Sequence, residues 1–99
     1  MYHLEWFNVD DPRAARQFFK ERFLPYFRRR GFDIWIYVTQ HCLGPAQFTL
    51  ITGMGDKWGA IDGWAEMAEG EPEGRNLMDE YRRLRHYGGG AVVENLDVL

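Results

Sequence analysis

The chain is poor in several of the residues that usually carry chemistry. Cys42 is its one cysteine among 99 residues. An internal disulfide is therefore excluded, and the reducing cytoplasm is the expected compartment. Its three histidines, His3, His41 and His86, are scattered. His41 and Cys42 are adjacent rather than spaced for chelation, and neither C-x-x-C nor H-x-x-x-H occurs, so no metal is expected. Apolar runs stay far short of the roughly 20 residues that cross a bilayer. The opening Met1-Tyr2-His3-Leu4-Glu5 lacks the basic and apolar regions of a secretory signal. A basic footprint is missing too: the net charge of −3 argues against nucleic acid as a partner. Gly53-Met54-Gly55 and Gly88-Gly89-Gly90 match neither the G-x-G-x-x-G turn nor a Walker loop, so they read as punctuation rather than phosphate cradles.

What is present is an ordered change of periodicity. Tyr2–Phe7 reads as a strand, closed by Asn8 to Pro12. A helix is expected over Pro12–Arg30, capped by Asp10 or Asp11 with Pro12 in its first turn. Ala15, Phe18, Phe19, Arg22 and Tyr26 form its stripe, Pro25 should kink or split it, and Arg28-Arg29-Arg30-Gly31 should end it. Phe32–Gln40 and Ala46–Thr52 alternate as strands and form a hairpin. Asp56 opens a helical stretch with Trp58, Ile61, Trp64, Ala65 and Ala68 at helical spacing, and Trp58 or Trp64 is expected to be buried. Glu71-Pro72-Glu73-Gly74 interrupts it. A further helix is expected over about Arg75–His86, ended by the three glycines, with Arg82, Arg83 and Arg85 on a solvated face. Ala91 to about Leu96 makes the last strand. The order strand, helix, strand, strand, helix, strand is that of one α+β domain, ferredoxin-like β-α-β-β-α-β, with a four-stranded antiparallel sheet and helices on one face.

Alternation sorts the expected sheet into two faces. Leu4, Trp6, Ile34, Ile36, Val38, Phe48 and Leu50 form the apolar face that the helices cover. His3, Glu5, Trp35, Tyr37, Thr39, Gln47 and Thr49 form the other, aromatic but polar. A face with Trp35 and Tyr37 on so small a domain is expected to be a dimer interface. The last strand does not sort cleanly.

The chain resembles NIPSNAP-like domains of the dimeric α+β barrel superfamily, in which two ferredoxin-like subunits pack sheet to sheet. The likeness lies in Tyr2-His3-Leu4, in Phe23-Leu24-Pro25 ahead of Arg28 to Arg30, and in Gly44-Pro45 leading into a strand. A helix with tryptophan then precedes a second helix. Glu5 stands where that family usually has a basic residue. The resemblance implies a homodimer with an apolar pocket between sheet and helices. Trp6, Asn8, Gln40, His41, Trp58, Trp64 and His86 are the candidates to line it. The ligand would be a small apolar or aromatic molecule. The alternative is a cofactor-independent monooxygenase or isomerase acting on a phenol- or quinol-like substrate, with Asn8, Gln40 or a histidine removing the proton.

Each candidate also has a plainer reading. The tryptophans at helical spacing suit a core, Asn8 suits a turn, and His86 suits a helix C-terminus. Haem-degrading relatives use an Asn, a Trp and a helical His. Here no histidine stands between Trp58 and Arg85, so haem is not expected, and flavin is excluded with the phosphate-binding glycine turns. Arg30-Gly31-Phe32-Asp33-Ile34-Trp35 echoes the strand motif of RNA-recognition domains. It falls on the second strand rather than the third, and Asp33 occupies a small-residue position.

Overall fold

In a computed structural model of the chain, residues 2–39, 47–53, 66 and 70–93 are described. Gln40, His41, Trp58 and Trp64 lie outside them, so the expectations for those residues do too. Four strands, β1 (Tyr2–Val9), β2 (Ile34–Thr39), β3 (Gln47–Gly53) and β4 (Arg85–Val93), form one sheet in the order β2-β3-β1-β4. Every neighbouring pair is antiparallel. With its helices this is an α+β arrangement compatible with a ferredoxin-like fold.

The first helical stretch is split where the proline predicts. It comprises α1 (Pro12–Phe18), a π-helical turn (Phe19–Phe23) and α2 (Leu24–Arg29). Asp11, not Asp10, is the cap: its Oδ1 accepts from the Ala14 amide at 3.1 Å, with Pro12 at the first helical position. The Leu24 amide bonds back five residues to the Phe19 carbonyl. This wide turn falls directly before Pro25, whose ring would clash with a carbonyl in an ordinary helix. It also suits the spacing of Phe19, Phe23 and Phe27. Steps of four drift by about 40° on an α-helix, and a wider turn removes that drift. All three rings are therefore buried, while Arg22, expected on the stripe, is exposed and pairs with Glu80. The stretch ends one residue early, at Arg29. The amides of Gly31 and Phe32 bond to the carbonyls of Arg28 and Phe27, and Gly31 takes φ +86°. This left-handed close requires glycine, and Phe32 packs edge-on against Phe27 over it.

The second described helix, α3 (Pro72–Leu84), begins earlier than expected and incorporates Pro72 to Gly74 in its first turn. It runs straight into β4, because Arg85 is already extended. His86 and the three glycines, expected at or after the helix end, therefore lie within a strand, and His86 is no helix-end residue. Between Trp6 and Phe7 the β1–β4 register shifts, pairing Trp6 with Gly89 and Phe7 with Tyr87. Gly88 is thus the extra residue of a bulge, which explains why the last strand resisted sorting by alternation.

The core is a stack of rings between sheet and helices. Phe7 and Phe48 from the sheet meet Phe19 and Tyr81 from the helices, with centroids 5.4–6.2 Å apart. Ile34 and Leu50 extend this layer on the sheet side, and Leu24, Leu77 and Met78 extend it on the helix side. Since Phe23 lies wholly inside it, Phe23→Ala should lower unfolding stability by about 3–5 kcal/mol. Arg22→Ala should change it by less than about 1 kcal/mol. Urea melts of both variants check this, and equal losses would contradict the phase set by the π turn.

Candidate functional site

The register fixes both faces of the sheet and corrects the expected parity of β1. Glu5 stands opposite Leu50, Phe7 opposite Phe48 and His3 opposite Thr52, and all three of those β3 residues are buried. His3 and Glu5 therefore belong to the helix-covered face, not to the candidate interface. Leu4 and Trp6 belong to the opposite face, so Trp6 does not line the space between sheet and helices. For β2 and β3 the expected parity holds: Ile34, Ile36, Val38, Phe48 and Leu50 face the helices.

The opposite face becomes more apolar through this correction. One row across the sheet runs Trp35, Ile51, Leu4, Ala91, and the next runs Tyr37, Thr49, Trp6, Gly89. Tyr2, Gly53 and Val93 flank the first row, and Thr39 and Gln47 complete the other end. None of these residues carries a charge, but Asp33, just before β2, sets its carboxylate over Gly53 at the edge of the same face. No described helix covers them, and Tyr37 keeps 59% of its surface exposed. The two β1 aromatics lean in opposite directions. Tyr2 meets Trp35 edge-on, with centroids 5.8 Å apart. Trp6 lies over β4, where a Cβ added at Gly88 or Gly89 would come within 2.9 or 2.6 Å of its indole. The glycines are what allow that indole to lie flat against the strand.

The helix-covered face holds two polar clasps of one design. In the first, the Tyr81 hydroxyl donates to Glu5 Oε2, which also accepts from Arg85 Nη1 at 2.9 Å. Arg85 Nη1 reaches the Tyr81 oxygen at 3.0 Å as well. The guanidinium lies between two rings, 4.4 Å from the Tyr81 centroid and 4.9 Å from that of Tyr87. Arg85, expected on a solvated face, is mostly buried by this contact. In the second clasp, Tyr26 donates to Glu71 Oε2 at 2.5 Å, and Arg30 Nε does so at 2.6 Å. Arg30 lies 4.1 Å over the Tyr26 ring. Each clasp thus uses a tyrosine, an arginine four residues later and a carboxylate from a distant segment. The only advance signal was the repeat of Tyr-x-x-x-Arg at two helix ends, a spacing that puts cation over ring.

Electrostatics makes these groups structural. Burial, then the charge and hydrogen bond of Glu5, raise the Tyr81 phenol far above its ordinary value, so it stays protonated. Tyr26 is raised by burial and by its bond to Glu71. The hydrogen bonds from Arg30 and Tyr26 hold the Glu71 carboxyl below the usual carboxylate range.

The remaining candidates are dispersed. Asn8 is exposed. His86 is exposed too and bonds through Nε2 to Asp10 Oδ1 at 2.8 Å. Two clefts open on the helix layer. One, of about 310 Å³, has Ala14, Ala15, Phe18 and Leu84 in its wall. The other, of about 470 Å³, runs between Arg22, Arg29 and Glu73. Neither is lined by Trp6, Asn8 or His86, the described residues expected to line a pocket. Among the described residues no group of three or more His, Cys, Asp or Glu stands together to hold a metal, and no helix is long and apolar enough to cross a membrane. Comparison of the chain with protein-family models, curated proteins and solved structures gives no match.

Two outcomes follow from the clasps. Tyr81→Phe leaves Glu5 and Arg85 paired and should cost about 1–2 kcal/mol. Glu5→Leu strands the Arg85 charge and should cost about 3–5 kcal/mol, as read by chemical denaturation. For Glu71 the folded carboxyl titrates below its unfolded value. Its stabilising effect is therefore complete above the ordinary carboxylate pKa and fades as pH falls through the lower, folded one. Melting temperatures of the native chain and Glu71→Gln should converge on acidification across that range, and a constant difference would contradict the clasp.

Proposed function

We propose that this chain is a binding and assembly domain of NIPSNAP-like, ferredoxin-like character that works as a homodimer. Two subunits pack their uncovered sheet faces together as a dimeric α+β barrel, and the assembly takes up a small apolar or aromatic molecule. The observation that carries this reading is the aromatic face, with Trp35, Tyr37, Trp6, Leu4 and Ile51 in register across three strands and one carboxylate, Asp33, at its edge. A sheet of this composition on a 99-residue chain gains stability by excluding water from both faces. Its two uncharged central rows favour a copy of itself over an acidic or basic partner, because a chain of net charge −3 meets its own copy most readily through a neutral patch.

A binder is favoured over the monooxygenase or isomerase alternative by what the titratable groups are doing. A proton-abstracting enzyme needs a base facing a cavity. Within the described sheet–helix layer Glu5, Tyr81 and Arg85 are engaged with one another, and Tyr81 is held protonated. Of the described candidate bases, Asn8 and His86 are exposed, and His3, half-buried opposite Thr52, lines neither cleft of the helix layer.

Sedimentation at micromolar concentration should give a dimer. Tyr37→Glu and Trp35→Glu each place an unpaired charge in the dry interface and should shift the chain to monomer with its far-UV circular dichroism unchanged. A native chain that sediments as a monomer contradicts the reading.

A further inference from the structure

One cleft of the helix layer is built from two walls of opposite charge. The pairing of Val9 with Arg85 brings the turn after β1 against the end of α3. Between them opens the cleft of about 310 Å³. One wall is the start of α1, with Asp10 and Asp11 at the rim. The other is the last turns of α3, with Glu80 and Arg83. Glu80 is neutralised by Arg22 at 2.7 Å, so Arg83 sets the sign of the α3 wall. Among the described residues Arg83 has no hydrogen-bond or ion-pair partner. On the α1 wall one oxygen of each carboxylate is engaged, Asp10 Oδ1 by His86 and Asp11 Oδ1 by the Ala14 amide. Both Oδ2 atoms remain for a ligand. The floor is apolar: Ala15 and Phe18 are core residues, and Leu84 packs against the core.

We infer that this cleft binds a free α-amino acid with an apolar side chain. The carboxylate pairs with Arg83, the ammonium with Asp10 and Asp11, and the side chain rests on Phe18 and Leu84. A guanidinium without a partner and two half-used carboxylates, on opposite walls of one cleft, complement a ligand that carries both charges. A simple anion would meet the aspartates and a simple cation would meet the arginine, so a ligand of one sign is repelled by one wall. The volume lies at the low end of the roughly 300–1,000 Å³ of small-molecule sites, which suits a molecule of amino-acid size. The floor disfavours polar side chains, because their polar atoms would lose water without gaining a partner. The cleft opens on the helix layer, away from the uncovered sheet face, so it stays accessible in the homodimer and does not depend on it.

The test is an NMR titration of the full, isotope-labelled chain with L-leucine. Two truncated analogues accompany it: isocaproate, which lacks the ammonium, and isoamylamine, which lacks the carboxylate. L-leucine should shift the amide signals of Ala14, Ala15 and Leu84 to saturation, and each analogue should bind about tenfold more weakly or worse. Arg83→Gln should weaken L-leucine by a similar factor and leave isoamylamine no weaker. The double variant Asp10→Asn, Asp11→Asn should weaken L-leucine likewise and leave isocaproate no weaker. Both variants keep the fold, since Arg83 is exposed and asparagine caps a helix as well as aspartate, and circular dichroism verifies it. Three results would each overturn the inference: no saturable shift at these amides with millimolar L-leucine, an analogue that binds as tightly as L-leucine, or native affinity in Arg83→Gln. L-glutamine binding as tightly as L-leucine would overturn the apolar specificity, and with it the ligand class.

Discussion

A central strand has neighbours on both sides, and its side-chain parity decides both faces of the sheet at once. In this chain β1 is one of two such strands, hydrogen-bonded to β3 on one side and β4 on the other. Putting Phe7 inside puts Glu5 inside with it and sends Leu4 and Trp6 outward, because alternation allows no other combination. The wholly buried Phe7 ring contacts Phe19, Phe48 and Tyr81. What makes this parity tolerable is that Glu5 finds two donors in the layer it enters. Without Tyr81 and Arg85, a carboxylate at that depth would cost more than the phenylalanine contributes.

The sheet's two faces therefore have different tasks. The inner face is closed by rings and by clasps at the ends of both helical stretches, where Tyr26 with Arg30 and Tyr81 with Arg85 each grip a carboxylate from far along the chain. These clasps place helix ends. The half-exposed Arg30–Glu71 pair contributes position more than net energy, whereas the mostly buried Glu5–Arg85 pair is costly to break from one side. The outer face is aromatic, with the Asp33 carboxylate at its edge, and no described helix covers it.

Much of the fold was legible in the residues. The α+β class, the split at Pro25, the cap near Asp11 and the close at Gly31 each follow from local chemistry, and each is found; the helix expected from Asp56 lies outside the described residues. The alternation of β2 and β3 was readable because Ile34, Ile36, Val38, Phe48 and Leu50 are apolar against polar or aromatic partners. β1 was misread because Tyr2, Leu4 and Trp6 are plainly the more apolar parity against His3, Glu5 and Phe7, which points them inward by composition. The partners that hold Glu5 inside, Tyr81 and Arg85, are 76 and 80 residues away. The β4 boundary was missed for a related reason. Glycine triplets usually punctuate, and here they serve a bulge and a flattened indole, which needs knowledge of the neighbouring strand. Of the candidate site, Trp35, Tyr37, Thr39, Gln47 and Thr49 were placed on the correct face from period two alone, whereas Trp6 and Leu4 joined them only through the register.

The central claim is that the outward parity of β1 places Leu4 and Trp6 against a second copy. Isotope-filtered NOE spectroscopy on a mixed dimer of labelled and unlabelled chains measures this directly. Intermolecular contacts should arise from the Leu4 methyl groups and the Trp6 indole, with Glu5 and Phe7 showing contacts only within their own chain. Intermolecular contacts from His3, Glu5 or Phe7, or none from Leu4 and Trp6, would contradict it.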